Sequence, residues 1–244
     1  VDFASSYEET HDHLIDLVRG VSEEVLATTV PASPAWDVRD VIAHLTGIAG
    51  DVAAGTLPPE LRIVDSLWDP AQASVRDEMT ADQVMSRRGR PPADVLTEWA
   101  SVLEVLLPML RGERPFPLGG AFVEPVLVTD ISVHAQDVRG ALGFPGDRRS
   151  AGVGVALASY TVALATKVRL AKLPPLRLRY DGKERVAGEG EPGATVEADR
   201  FELVRALSGR RSRDQIRAFA WEGDPEPYLS LIPAYGERLV PIVE

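Results

Sequence analysis

Apolar residues recur at helical spacing through most of the first 173 positions, and only beyond them does the pattern switch to simple alternation. Phe3, Tyr7, Leu14 and Val18 share one face of a helix that Asp2 can cap and Gly20 can end. A proline-stiffened entry, Val30 to Trp36, leads to Asp37, a natural N-cap with Asp40 at the third helical position. Val38, Val41, Ile42, Leu45 and Ile48 then line a second helix, interrupted by His44, and Trp36 reads as core. Residues 55–79 hold Gly55, Pro58, Pro59 and Pro70 and predict a long irregular connection able to cover a site. Thr80-Ala81-Asp82-Gln83 is a capping-box pattern for a short helix, and Arg87-Arg88-Gly89-Arg90-Pro91-Pro92 reads as a solvated turn that breaks it. Val95, Leu96, Trp99, Leu103, Leu106, Leu107 and Leu110 predict an amphipathic helix that Pro108 kinks or ends, followed by a turn-rich linker over 111–120. Two more helices follow, 127–143 and 150–173, the second with Gly152, Gly154 and Ala158 permitting close approach.

After Pro174-Pro175 the period is two. Leu176 to Tyr180 alternates, Asp181-Gly182 is a hairpin signal, and 184–187, 194–198 and 216–221 read as further short strands. Asp199 caps a helix over Phe201 to Leu207, and 225–235 reads as a last short one. The fold class expected is α+β: an up-and-down four-helix bundle over residues 1–173 and a small α+β domain over 174–244.

Composition narrows function by exclusion. A net charge of −11 argues against a nucleic-acid partner, which needs clustered Lys and Arg. No apolar run of membrane-spanning length and no export signal stands out, so the expectation is a cytoplasmic protein with no membrane partner. Cysteine is absent, which removes disulfides, thiolate zinc sites and a cysteine nucleophile; sulfur chemistry would need a thiol from outside.

The candidate chemistry lies on the helix 127–143. Asp130, His134 and Asp137 fall at i, i+4 and i+7 on one stripe, and an acid and an imidazole one turn apart can both reach one divalent cation. The same spacing is also common on solvated helix faces. His44 sits at the boundary of its helix's apolar face, where histidines are often structural; His11 and His13 lack a partner one turn away, and His11 is kept only as a reserve ligand. Arg210 and Arg211, after the Phe201 helix, are candidates for holding a substrate carboxylate in a two-pronged grip, against the plainer reading of surface arginines that neutralise nearby acids.

Three stretches carry a family resemblance: Pro34-Ala35-Trp36-Asp37-Val38-Arg39-Asp40-Val41-Ile42-Ala43-His44, Thr129-Asp130-Ile131-Ser132-Val133-His134-Ala135-Gln136-Asp137, and Phe201 to Ser212. With them the chain resembles the mycothiol-dependent maleylpyruvate isomerases, whose N-terminal half is a DinB-like metal-binding bundle. The resemblance implies a divalent metal, usually zinc, held by His44, Asp130 and His134. Asp130 stands where the family has a glutamate, and Asp137 is either a partner of His134 or an alternative ligand. It also implies mycothiol as the external low-molecular-weight thiol and a small electrophile as substrate, with cis–trans isomerisation or thiol transfer as the reaction. The competing expectation is a metal-binding or ligand-binding protein without catalysis.

Overall fold

Local capping decides where the helices begin. In the computed structural model, which describes residues 1–62, 69–118 and 122–244, Asp2 accepts from Ser5 N at 2.9 Å and opens α1 (Phe3–Val18). Ser22 caps the short α2 (Glu23–Leu26). Asp37 and Asp40 form a reciprocal capping box at the head of α3 (Val38–Ala54), which ends at Gly55 in the left-handed region. Next come α4 (Ala73–Met85), α5 (Pro92–Leu110) and α6 (Val123–Leu142). The second unit begins with α7 (Ala151–Leu170), capped by Ser150.

The chain divides into two units, Val1–Gly146 and Asp147–Glu244. In the first, α1 lies against α5 and α6, α3 lies against the same two, and α4 docks on α3. The four long helices bury Tyr7, Leu14, Leu45, Trp99, Leu106, Leu127 and Ile131. This is the helical bundle expected, with α4 as an outrigger.

In the second unit, β1 (Leu176–Tyr180) and β2 (Lys183–Ala187) form an antiparallel hairpin. Its turn is Asp181-Gly182, both at positive φ, the conformation a tight two-residue hairpin requires. With β3 (Ala194–Glu197) and β4 (Ala220–Glu222) the sheet order is β2-β1-β3-β4, and only the β1–β3 pairing is parallel. Leu176, Leu178 and Tyr180 turn inward, while Arg179 on the outer face pairs with Glu197 and Glu222. Three short helices complete the unit: α8 (Arg200–Leu207), α9 (Arg213–Arg217) and α10 (Glu226–Leu229).

Several expectations change. The division falls at Gly146, not at the proline pair, because α7 lies on α8 and β2 and its buried Val153, Ala156, Leu157, Tyr160 and Leu164 belong to the second unit. A helix apolar on nearly every side gives no sign in the sequence of which neighbour covers it. By length and composition α7 could also cross a membrane, but more than half of it is buried in the fold, as in a core helix. Helix α4 starts at Ala73 rather than Thr80, so Gln83 lies inside a helix instead of in a capping box. The rest of the expected 55–79 connection contains short 3-10 turns at Pro59–Leu61 and Pro70–Gln72, and its residues 63–68 lie outside those described, as do 119–121 of the expected 111–120 linker. Pro108 does not end α5, which continues to Leu110. Ser212 and Gln215 form a capping box that makes 213–217 helical, so the last strand begins only at Ala220.

Candidate metal centre

Helix α3 supplies one half of the site. Its N-terminus is pinned twice: Asp37 accepts from Asp40 N at 3.0 Å, and the buried Asp40 carboxylate takes a two-pronged grip from Arg88 at 3.0 and 2.6 Å. One turn on, His44 is 3% exposed. Arg88 is thus an exposed turn residue, as the sequence suggests, that nonetheless holds a buried acid, whereas Arg87 is largely covered and grips Glu98 at 3.1 and 2.6 Å. Helix α6 supplies the other half, with Asp130 and His134 one turn apart as the spacing predicts.

The structure brings these three together. His44 Nε2 lies 3.5 Å from Asp130 Oδ2, and His134 Nε2 lies 3.7 Å from Asp130 Oδ1. One donor atom from each of the three falls within 4.8 Å of the others. Donors bound at roughly 2.0–2.2 Å to a tetrahedral ion stand about 3.4 Å apart, so the carboxylate already sits at ligand spacing from both imidazoles. The residues present fit a divalent cation.

Each histidine's other nitrogen faces an acceptor. His44 Nδ1 is 2.8 Å from Gln83 Oε1, and Gln83 Nε2 is 2.6 Å from Asp51 Oδ2. His134 Nδ1 is 3.0 Å from Asp137 Oδ2, an ion-pair distance without good hydrogen-bond alignment, and the Asp137 side chain is fully buried. A carboxylate beside Nδ1 favours the proton there and leaves Nε2 as the lone-pair nitrogen, the arrangement metal-binding histidines use. Asp137 thus stands behind His134, on the far nitrogen from Asp130.

Trp36 is half-buried rather than core, and its ring lies 5.3 Å from the His44 ring and 6.2 Å from the His134 ring, a wall beside both. Bonds from Val30 N to Trp36 O and from Trp36 N to Ser33 O fix the turn that presents it. His11 stands apart from the cluster, edge-on to Trp99 at 4.7 Å, and burial pushes its imidazole below the ordinary range.

Arg210 and Arg211 belong to the second unit. Arg210 donates to Ser208 O at 2.7 Å. Arg211, 4% exposed, grips Glu202 at 2.6 and 2.8 Å and reaches Glu244 at 3.2 Å, while Arg205, wholly buried, forks onto the same Glu244. Both candidate arginines are engaged within their own unit.

Fold and site together define a class: a helical bundle holding a two-histidine, one-carboxylate cluster, joined to a small α+β unit. The family model described as the mycothiol maleylpyruvate isomerase N-terminal domain matches residues 7–139, more than half of the chain, and the chain belongs to that family. Among solved structures, a histidine-to-alanine mutant of the mycothiol-dependent maleylpyruvate isomerase is similar with a TM-score of 0.56 at 13% identity, covering 90% of this chain and 91% of that one. A second structure of mycothiol-dependent maleylpyruvate isomerase is similar with a TM-score of 0.50, also at 13% identity, covering 85% and 88%. At that identity the likeness shows the fold. No curated protein matches.

Sequence reasoning missed Gln83, Asp51 and the placement of Trp36. The one available signal for the first two was Gly47, a gap on an otherwise filled helix face one turn beyond His44.

Proposed function

We propose that this protein is a metal-dependent enzyme that uses an external thiol, mycothiol by family, to isomerise or thiolate a small electrophile. The observation that supports it most is the cluster of His44, Asp130 and His134, with the Nδ1 atom of each histidine facing its own acceptor and the Nε2 atoms facing the carboxylate. A divalent ion, zinc by preference for this donor set, would supply Lewis acidity and keep a bound thiol deprotonated at neutral pH. The absence of any cysteine is consistent with sulfur from outside.

The chain's own residues have separable tasks. Asp130 offsets the cation's charge, Asp137 and Gln83 hold the two imidazole tautomers, and Trp36 gives the site an apolar wall that limits water and suits a flat unsaturated substrate. Arg210 and Arg211 remain the proposed carboxylate grip, which would require Arg211 to exchange Glu244 or Glu202 for substrate. That existing engagement favours the second reading, a metal-binding protein without catalysis.

The two readings separate in one experiment. Zinc-loaded protein is given a maleyl-type cis-enoic acid with and without mycothiol, and isomer and adduct are followed by absorbance and chromatography. Thiol-dependent turnover that His134→Ala abolishes is expected; stoichiometric zinc with no thiol-dependent turnover would favour the binder, and no zinc at all would remove both.

A further inference from the structure

His44, Gly47 and Asp51 lie at i, i+3 and i+7 on α3 and so share one stripe of that helix. Gln83 of α4 is set into it. Its amide spans from His44 Nδ1 at 2.8 Å to Asp51 Oδ2 at 2.6 Å, and the residue is 4% exposed. Gly47 is what lets it in: a Cβ on Gly47 would fall 2.6 Å from both Cβ and Cγ of Gln83, closer than real contacts allow. The seat is braced from behind by Arg87, which donates to Gln83 O at 3.0 Å while gripping Glu98 of α5.

Hydrogen-bond chemistry gives this arrangement a direction. A carboxylate only accepts, so Asp51 requires the NH2 end of the Gln83 amide on its side. The carbonyl end must then face His44, and because it too only accepts, the proton of a neutral His44 must sit on Nδ1. Asp130 Oδ2 competes for that proton from the other side of the ring, but at 3.5 Å against 2.8 Å for Gln83 Oε1, so Nε2 is left with its lone pair. A flipped amide would present NH2 to His44, draw the lone pair to Nδ1 and put the proton on Nε2, where it would block a cation.

We propose that Gln83, aimed by Asp51 and seated by the gap at Gly47, is a positioning residue that fixes the tautomer of His44 and keeps its Nε2 lone pair turned to Asp130 and His134. Its effect on metal affinity rests on the metal-centre reading above. The tautomer does not, since it belongs to the metal-free protein.

Two measurements on the full chain at pH 8 test it: long-range proton–nitrogen NMR of the histidine rings without metal, and titration with zinc against a chromophoric chelator. The parent is expected to show His44 protonated on Nδ1. Gln83→Leu and Asp51→Leu should lose that preference and weaken zinc binding about ten- to a hundredfold, the usual effect of losing a group that orients a ligand. Asp51→Asn, whose carbonyl still accepts, should behave as the parent. Asp51 does not touch His44, so its variants keep the test standing even if Gln83→Leu fails to fold. A parent His44 protonated on Nε2, an unchanged tautomer in both leucine variants, or an Asp51→Asn that behaves like Asp51→Leu would each overturn the proposal. A parent that binds no zinc yet shows the expected tautomer, lost in Asp51→Leu, would support it and sink the metal-centre reading alone.

Discussion

Replacing Asp130 by asparagine keeps the side chain's size and removes the charge that faces both imidazoles. Its oxygens stand 3.5 and 3.7 Å from the two Nε2 atoms, near the edge length of a tetrahedral ligand set, whereas Asp137 stands 3.0 Å from the opposite nitrogen of His134. A ligand should matter more than a group that orients one, so zinc affinity should fall at least about 100-fold in Asp130→Asn, or about 2.7 kcal/mol, and by about ten- to a hundredfold in Asp137→Asn. The consequence for folding follows by mass action. At free zinc 100 times the parent's dissociation constant, binding stabilises the folded bundle by about 2.7 kcal/mol, which raises its melting midpoint by roughly 5–10 °C. The same zinc would stabilise Asp130→Asn by about 0.4 kcal/mol or less, a shift of about 1 °C. Asp130→Glu lengthens the acid by one methylene and should retain binding. Chelator competition and differential scanning calorimetry on the same samples read both quantities. If Asp130→Asn melts with the parent's zinc shift while Asp137→Asn loses it, the acidic ligand is Asp137 and the assignment is wrong.

Arg205 is wholly buried in the second unit and forks onto Glu244, whose side chain is 6% exposed, so Arg205→Leu leaves a buried carboxylate short of its main partner. It should cost about 3–5 kcal/mol in urea unfolding, and a loss under about 1 kcal/mol would mean the pair behaves as a surface bridge. Burial holds His11 below its ordinary value near 6.5, so the unfolded chain binds the proton more readily than the folded one. Stability is then fully present above about pH 6.5 and falls as pH drops below it; His11→Leu should flatten that slope between pH 7.5 and 5, and an unchanged slope in urea midpoints would show that His11 is not its source.

What could be read from the sequence was whatever a few neighbouring residues decide. Asp2, Asp37 and Asp199 mark helix starts because a cap is a bond three residues long, and Asp181-Gly182 marks the hairpin because its φ angles are a local demand. Asp130 and His134 were found because a helix brings them together unaided. What was not legible depends on the partner element. Helix α7 is apolar on nearly every side, and only packing assigns it to α8 and β2. Gln83 looks like a capping residue until α4 is seen to start seven residues earlier, and Arg88, solvated as expected, shows its partner only when Asp40, far away in the chain, is found beneath it. Arg210 and Arg211 had a carboxylate grip in prospect because spacing cannot reveal that Glu202 and Glu244 already supply carboxylates to Arg211.

The candidate ligand set is divided unequally, two donors on α6 and one on α3. Two groups one turn apart on a single helix keep their separation whatever the rest of the protein does, whereas the distance to His44 is only as constant as the spacing between the helices. Under the proposed function, metal affinity would therefore be a ruler laid across the α3–α6 seam. Core substitutions at positions that supply no ligand, such as a smaller residue at Leu45 or Ile131, would register on it if they let the seam shift by a few tenths of an ångström, and the ion, once bound, would tie together two helices that otherwise hold each other by side-chain packing.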